Sequence, residues 1–175
     1  MPEEKPSAKD PGTNRKQDEP HPADGEATLA RTLERLESLL APYRRVAVAF
    51  SGGVDSTFLL AAVCREPDRR VLAVTAVSPT HPEREQREAR ESAGGFPAEH
   101  REVVTEEFRL EAFRENPPDR CYHCKKYLFS RMDEIRLEEG YEVLVDGTNA
   151  DDLADFRPGI RALEELGVRS PLLEA

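Results

Sequence analysis

Arg45-Val46-Ala47-Val48-Ala49-Phe50-Ser51-Gly52-Gly53-Val54-Asp55-Ser56-Thr57 is the stretch on which the fold turns. Val46 to Phe50 is an unbroken apolar run, and after the polar, glycine-rich turn the apolar stretch Phe58 to Val63 follows. This order predicts a buried strand, a tight turn and a helix. Two glycines let the backbone approach a ligand closely, and the first N–H groups and dipole of the following helix favour an anion there. Ser51, Ser56 and Thr57 add hydroxyl donors, while Asp55 is suited to a Mg²⁺ ion that bridges phosphate oxygens. The turn lacks the Lys of a GxxxxGK[ST] loop, so it is a poor holder of a γ-phosphate in the P-loop manner. The plainer reading of Gly52-Gly53 is a strand-to-helix turn with incidental hydroxyls, and the flanking strand and helix count against it.

Working outward, Val71 to Val77 is a second near-continuous apolar run, Glu102 to Thr105 a short third and Val143 to Val145 a fourth, with helix-like segments between them. Runs without polar alternation suit strands covered on both faces, so the expected class is α/β, an open, Rossmann-like parallel sheet with crossover helices on both faces. Ahead of the first strand, Leu29, Leu33, Leu36, Leu39 and Leu40 recur at helical spacing. Leu128, Phe129, Met132 and Ile135 share another helical face, with Gly140 at the expected stop, and Arg161 to Leu166 reads as a short helix ended by Gly167.

The chain has 175 residues, 25 Lys+Arg against 35 Asp+Glu and a formal net charge of −10, a balance that argues against coating nucleic acid. It holds no run of apolar residues long enough to span a membrane, and its polar N-terminus has no secretory apolar core, which points to the cytoplasm. Residues 1–26 carry five of the fourteen prolines, seven acidic and four basic side chains, and almost nothing apolar. They are expected to be a disordered tail, leaving residues 27–175 as one domain. The alternating charges of Glu83 to Glu91 read as a solvated helix face before a docking arm. Of the three cysteines, Cys64 reads as a small buried hydrophobe, whereas Cys121-x-x-Cys124 sits at a helix start with a spacing used in metal, cluster and redox chemistry.

The Ser-Gly-Gly-x-Asp-Ser turn resembles that of the PP-loop ATP pyrophosphatases, which bind the pyrophosphate of ATP during adenylation. Three further stretches narrow the resemblance: Asn116-Pro117-Pro118-Asp119-Arg120-Cys121-Tyr122-His123-Cys124-Lys125-Lys126, Asp146-Gly147-Thr148-Asn149-Ala150-Asp151-Asp152, and Arg157-Pro158-Gly159 with Arg161-Ala162-Leu163. Together they are similar to the LarE family, the ATP-dependent sacrificial sulfur transferases of nickel-pincer cofactor synthesis. The resemblance runs from about Ala27 to Ala175. It implies the adenine nucleotide alpha hydrolase fold, ATP and Mg²⁺ as cofactors, and adenylation of a carboxylate of a pyridinium dicarboxylate mononucleotide, followed by sulfur donation from a cysteine. In the family that cysteine belongs to a segment beyond the position of Ala175, so the domain is expected to be truncated before the sulfur-transfer region.

Carried over by motif, Ser51, Gly52, Gly53, Val54, Asp55, Ser56 and Thr57 would hold the ATP phosphates and magnesium. Lys125 would face the nucleotide or the phosphate charge that develops in the reaction. Asp152 is either a nucleotide-side ligand at the carboxyl edge of the sheet or a helix cap. Cys121 and Cys124 are either part of an iron–sulfur or metal site, as in relatives that use CxxC with a distant Cys, or reactive or incidental thiols; two thiolates are half a site. The partner implied is a small-molecule nucleotide, with no membrane and no polynucleotide, and a homo-oligomer is left open. Two other readings remain: a tRNA-thiolating ATP pyrophosphatase, disfavoured by the acidity, and a catalytically incomplete ATP-binding module.

Overall fold

The computed structural model describes residues 22–78, 82–106, 109, 117–154 and 158–175. Most of the expected tail, together with Asn116 and Arg157 of the motif stretches, lies outside the described residues. The apolar runs become strands β1 (Arg45–Ala49), β2 (Arg70–Val77), β3 (Glu99–Val104) and β4 (Val143–Val145), all paired in parallel in the order β3-β2-β1-β4. Between and around them run helices α1 (Pro22–Leu40), α2 (Val54–Val63), α3 (Glu83–Ala93), α4 (Arg120–Glu138), α5 (Pro158–Leu166) and α6 (Pro171–Glu174), with a 3₁₀ turn over Ala150–Ala154. The first helix thus starts at Pro22, inside the span expected to be tail. Gly140 (φ 74°) and Gly167 (φ 68°) take the left-handed conformation at the ends of α4 and α5, as their sequence positions require.

Each buried strand feeds both faces of the sheet. Val46 and Val48 of β1 pack with Leu36 and Leu40 of α1, Leu59, Leu60 and Val63 of α2, and Ala89 and Ala93 of α3. Ala47, Leu72, Val74 and Leu144 face the other way, onto Phe129 and Met132 of α4 and Leu163 of α5. Leu59, Leu60 and Val63 are fully buried, and each such side chain stabilises the fold by about 1.5–3 kcal/mol. The guanidinium of Arg69 ties the lower ends of the first two helices together: it donates to the carbonyls of Leu40 at 3.1 Å, Tyr43 at 3.0 Å and Val63 at 2.9 Å, which closes helix ends whose last carbonyls have no partner within the helix.

The third strand departs from the apolar pattern expected of it. It begins three residues earlier, at Glu99, and is the charged edge of the sheet, with Glu99 on Arg70 at 2.8 Å, Arg101 on Glu139 at 2.9 Å and Glu102 on Arg90. Charge along an exposed edge discourages pairing with another strand. Beyond β4 the sheet is extended by a single parallel bridge, Val145 to Arg169, with Arg169 N donating to Leu144 O at 3.0 Å and Asp146 N to Arg169 O at 2.9 Å.

The strand order places a reversal between β1 and β4. The chain steps from β1 outward through β2 to β3 with α2 and α3 on one face, then returns by α4 on the other face to β4. Helices diverge at such a point, which opens a crevice at the carboxyl ends of those two strands.

Candidate functional site

That crevice is a cavity of about 420 Å³ lined by the end of β1, the turn after it, the end of β2, the first half of α3, the apolar face of α4 and the loop after β4. Its polar contributors are Ser51, Asp55, Ser56, Thr75, Glu85, Gln86, Asp146, Thr148 and Asp152; Leu128, Phe129 and Met132 make the apolar wall. A wall of one kind facing polar groups of the other is the ordinary design of a small-molecule site.

The turn after β1 is braced from within. Ser56, buried at the third position of α2, donates its hydroxyl to Gly53 O at 3.0 Å and lies 3.1 Å from Ser51 Oγ, while Gly53 N donates to Ser51 Oγ at 3.3 Å. Ser56 is therefore a strut of the loop as well as a lining residue. Gly52 stands at φ 78°, and Gly53 begins the helix with no side-chain cap, so the first amides of α2 are left for an external acceptor. Val54 is 81% exposed, and neither it nor Gly52 nor Thr57 lines the cavity. Of the seven loop residues expected to hold phosphate, Ser51, Gly53, Asp55 and Ser56 face the cavity.

Across the turn, the loop after β4 presses on the start of α2: a β-carbon at Gly147 would lie 3.0 Å from Ser56 N. Asp152 closes its own 3₁₀ turn, accepting from Asn149 N at 3.2 Å, and also lines the cavity. The cap and the site wall, opposed in the sequence reading, are features of one residue. Asp55, in the first turn of α2, and Asp152, in the loop after β4, thus line one cavity at the switch point. Magnesium keeps several waters and takes one or two carboxylates plus substrate phosphates, so this donor set beside free helix amides fits a magnesium–phosphate group. Among the described residues no group of three or more His, Cys, Asp or Glu side chains is arranged to hold a metal ion without such a ligand.

Lys125 does not line the cavity. It lies on α4 one turn before Leu128 and Phe129, on the same helical face. Its aliphatic stem lies across Gly159 of α5 so closely that a β-carbon there would sit 2.6 Å from Lys125 Cδ. Cys121 is exposed and Cys124 half-buried on the same first turns, whereas Cys64 packs against the core on the opposite face of the sheet, where burial pushes its thiol pKa up. The third cysteine is therefore separated by the sheet from the pair.

The first turn of α4 is held to α5 by Glu165, which accepts from Tyr122 Oη at 2.7 Å, Lys126 Nζ at 2.7 Å and Arg161 Nε at 2.9 Å. Lys126, then Tyr122, hold its carboxyl at about 2, below the ordinary 4.5. Because the folded value is depressed, the stability this link contributes is complete above about pH 4.5 and is lost as the pH falls toward 2. In Glu165→Gln that part of the acid sensitivity disappears. Melting temperatures of both proteins at about pH 3 and about pH 6 check it; a gap between them that stays constant would deny the carboxylate this role.

Several lining residues carried no signal strong enough to be assigned from sequence. Thr75 is one polar residue in the apolar run of β2; its hydroxyl donates to Phe50 O at 2.9 Å, so the His100 Nε2 that lies 2.9 Å away must be the donor to it. Burial lowers the pKa of His100, in keeping with a neutral ring. Glu85 and Gln86 belong to the run read as a solvated face, and most of that face is solvated, with Ala89 and Ala93 its buried residues. Its first turn nevertheless turns inward over the phosphate loop. Asp146 and Thr148 stood in a motif stretch without a role of their own.

Comparison with known proteins sets this geometry in context. The asparagine synthase family model matches residues 33–154. An uncharacterized protein of Synechocystis sp. is 38% identical over 146 residues, 83% of this chain and 54% of the relative. The pyridinium-3,5-bisthiocarboxylic acid mononucleotide synthase of Lactiplantibacillus plantarum is 35% identical over 150 residues, 85% of this chain and 54% of that enzyme. The chain spans about half the length of the curated relatives it matches. Among solved structures, the NH3-dependent NAD synthetase of Campylobacter jejuni superposes with a TM-score of 0.56 at 12% identity, over 73% of this chain and 58% of that one. The NMN synthetase of Francisella tularensis does so with a TM-score of 0.56 at 12% identity, over 71% and 55%. These two share the fold, and no described helix is long and apolar enough to cross a membrane. The family match takes in every residue that lines the cavity, from Ala49 to Asp152, and the chain accordingly belongs to the asparagine synthase family of PP-loop domains.

Proposed function

We propose that the chain binds ATP with Mg²⁺ and adenylates a carboxylate of a pyridinium dicarboxylate mononucleotide, the activation step for sulfur transfer in nickel-pincer cofactor synthesis. The observation that carries this reading is the meeting, in one cavity, of an uncapped helix start behind a Ser-Gly-Gly turn with the carboxylates of Asp55, in the first turn of α2, and Asp152, in the loop after β4. The 35% identity to the Lactiplantibacillus enzyme supports the choice of acceptor. In this reading the substrate carboxylate oxygen attacks the α-phosphorus of ATP, the bond to the β-phosphate bridging oxygen breaks, and pyrophosphate leaves. Amides of the first turn of α2 and the Ser51 hydroxyl hold the leaving pyrophosphate, Asp55 and Asp152 hold magnesium, and the bound ion supplies neutralisation of phosphate charge.

Lys125, one turn before the apolar wall of α4, is read as a cation beside the nucleotide, reaching past Gly159. Cys121 and Cys124 are assigned no part as sulfur donor, and an iron–sulfur cluster on this pair would need ligands beyond the two thiolates. The cytoplasm belongs to the same reading. The test is pyrophosphate release by the chain with Mg-ATP and the mononucleotide, beside the intact mass of the native gene product before and after turnover. Pyrophosphate release that needs the acceptor, with loss of one sulfur from the protein, is expected. In Lys125→Ala the rate falls on the order of 10- to 100-fold with little change in melting temperature; an unchanged rate returns Lys125 to the surface. Binding of Mg-ATP without pyrophosphate release would favour the ATP-binding module.

A further inference from the structure

We propose that Asp146 is a positioning residue for the metal-binding side of the site, acting through the two hydroxyls it holds. This rests on the reading of the cavity as a Mg-ATP site. Asp146 ends β4, is 5% exposed and lines the cavity. Its two carboxylate oxygens are each used: Oδ2 accepts from Thr148 Oγ1 at 2.5 Å, and Oδ1 from Ser170 Oγ at 2.5 Å. Its own amide donates to Arg169 O at 2.9 Å. One side chain thereby joins the end of β4, the turn after it and the segment that extends the sheet.

The consequence falls on both carboxylates assigned to magnesium. Gly147, between Asp146 and Thr148, is pressed so closely on α2 that its missing β-carbon would lie 3.0 Å from Ser56 N and 3.2 Å from Asp55 C. The turn held by Asp146 is therefore the surface on which the backbone of Asp55 rests. Asn149 follows directly, and its amide and carbonyl hold Asp152 by two 3.2 Å bonds. Loosening the turn at Asp146 frees Asp55 on one side and Asp152 on the other. A buried carboxylate that spends both oxygens on hydroxyls costs desolvation, and supporting groups of this kind set how well ligating groups are aimed.

The test is a Mg²⁺ titration of ATP binding by calorimetry, on the wild-type chain and on Asp146→Asn, Thr148→Val and Ser170→Ala, with melting temperatures alongside. In Asp146→Asn the Mg²⁺ concentration at half-saturation rises on the order of tenfold. Thr148→Val and Ser170→Ala each raise it about two- to tenfold, and the triple variant is no worse than the product of the two hydroxyl variants, because all three remove one support. The hydroxyl variants decide the matter even where Asp146→Asn folds poorly. A lower melting temperature with an unchanged Mg²⁺ requirement would make Asp146 a purely structural residue. A shift in Asp146→Asn with none in either hydroxyl variant would mean that it touches the ligand directly, and would overturn a positioning role. Wild-type chain that fails to bind ATP at any Mg²⁺ concentration would sink the functional reading itself, an outcome seen before any variant is compared.

Discussion

Asp55→Ala abolishes pyrophosphate release, by at least 10²- to 10³-fold, and leaves the fold standing. The two halves of this expectation have separate physical grounds. Asp55 is exposed in the first turn of α2, makes no side-chain bond that caps the helix, and sits where a negative charge interacts favourably with the helix dipole. Its removal costs about 0.3–1 kcal/mol of stability on that account. On the proposed reading the loss of activity comes from the metal: with one of the two carboxylates gone, magnesium would no longer be held against the phosphates. Chelation separates this from a simple loss of charge. Without Mg²⁺, a carboxylate beside the phosphate amides repels ATP, so the variant binds ATP as well as or better than the wild type; with Mg²⁺ it binds more weakly. Comparing ATP affinity with and without EDTA checks both signs. Full activity in Asp55→Ala would remove the residue from the metal role, and equal loss of affinity under both conditions would make it a direct contact of the nucleotide.

Much of this site could be read from one local pattern, because strand, turn and helix follow each other within a few residues of the phosphate loop. Val46 to Val63 needs no distant partner to be recognised: buried strand, two glycines and an apolar helix are each local signals, and the structure assembles them as such. The parallel pairing, though not the strand order, also followed from apolar runs, since β1, β2 and β4 are covered on both faces. What the pattern missed is set by partners far along the chain. β3 is charged because it is an edge, a property of strand order and not of its own residues. Pro22 to Glu26 was assigned to the tail on composition, yet a proline at a helix start lacks only an N–H that would have no partner there.

The side chains of the cavity divide in the same way. Leu128, Phe129 and Met132 looked like core residues, and Phe129 and Met132 do belong to the core, but the stretch of α4 that covers the sheet also closes the ligand space. Periodicity reports that a face is buried and does not distinguish a helix from an empty cavity as its neighbour. Asp146 joins Thr148 to Ser170 across the bridge to Arg169, and no spacing rule relates those residues. Glu165 reaches Tyr122 and Lys126 from a different helix. Lys125, identified from a motif, is not part of the cavity wall, and its stem lies against Gly159 of another helix.

The two glycines of the phosphate turn should respond very differently to alanine, and the contrast isolates what backbone geometry contributes. Gly52 has φ 78°, and a β-carbon there would lie 3.0 Å from Ala89 Cα and 3.1 Å from Ala89 Cβ. A left-handed alanine costs roughly 1–2 kcal/mol, and the clash adds about 1–3 kcal/mol of overpacking, because the obstacle is the backbone of α3 and not the end of a flexible side chain. Relief requires α3 to move, and α3 is anchored by Ala89 and Ala93 while its first turn brings Glu85 and Gln86 to the cavity. Gly52→Ala therefore lowers the melting temperature and disorders the nucleotide wall together. Gly53, at φ −71° and with its would-be β-carbon 3.4 Å from Ser51 Oγ, has neither strain nor clash, and alanine at this helix start costs about 1 kcal/mol or less. Its new methyl enters the space of the phosphates, so Gly53→Ala should weaken ATP binding while the fold melts almost normally. Thermal melts with and without Mg-ATP distinguish the two: Gly52→Ala loses stability in both, and Gly53→Ala loses mainly the increment that ligand adds. Equal melting of both variants without ligand would mean that the turn adapts, and that α3 is not held by the phosphate loop.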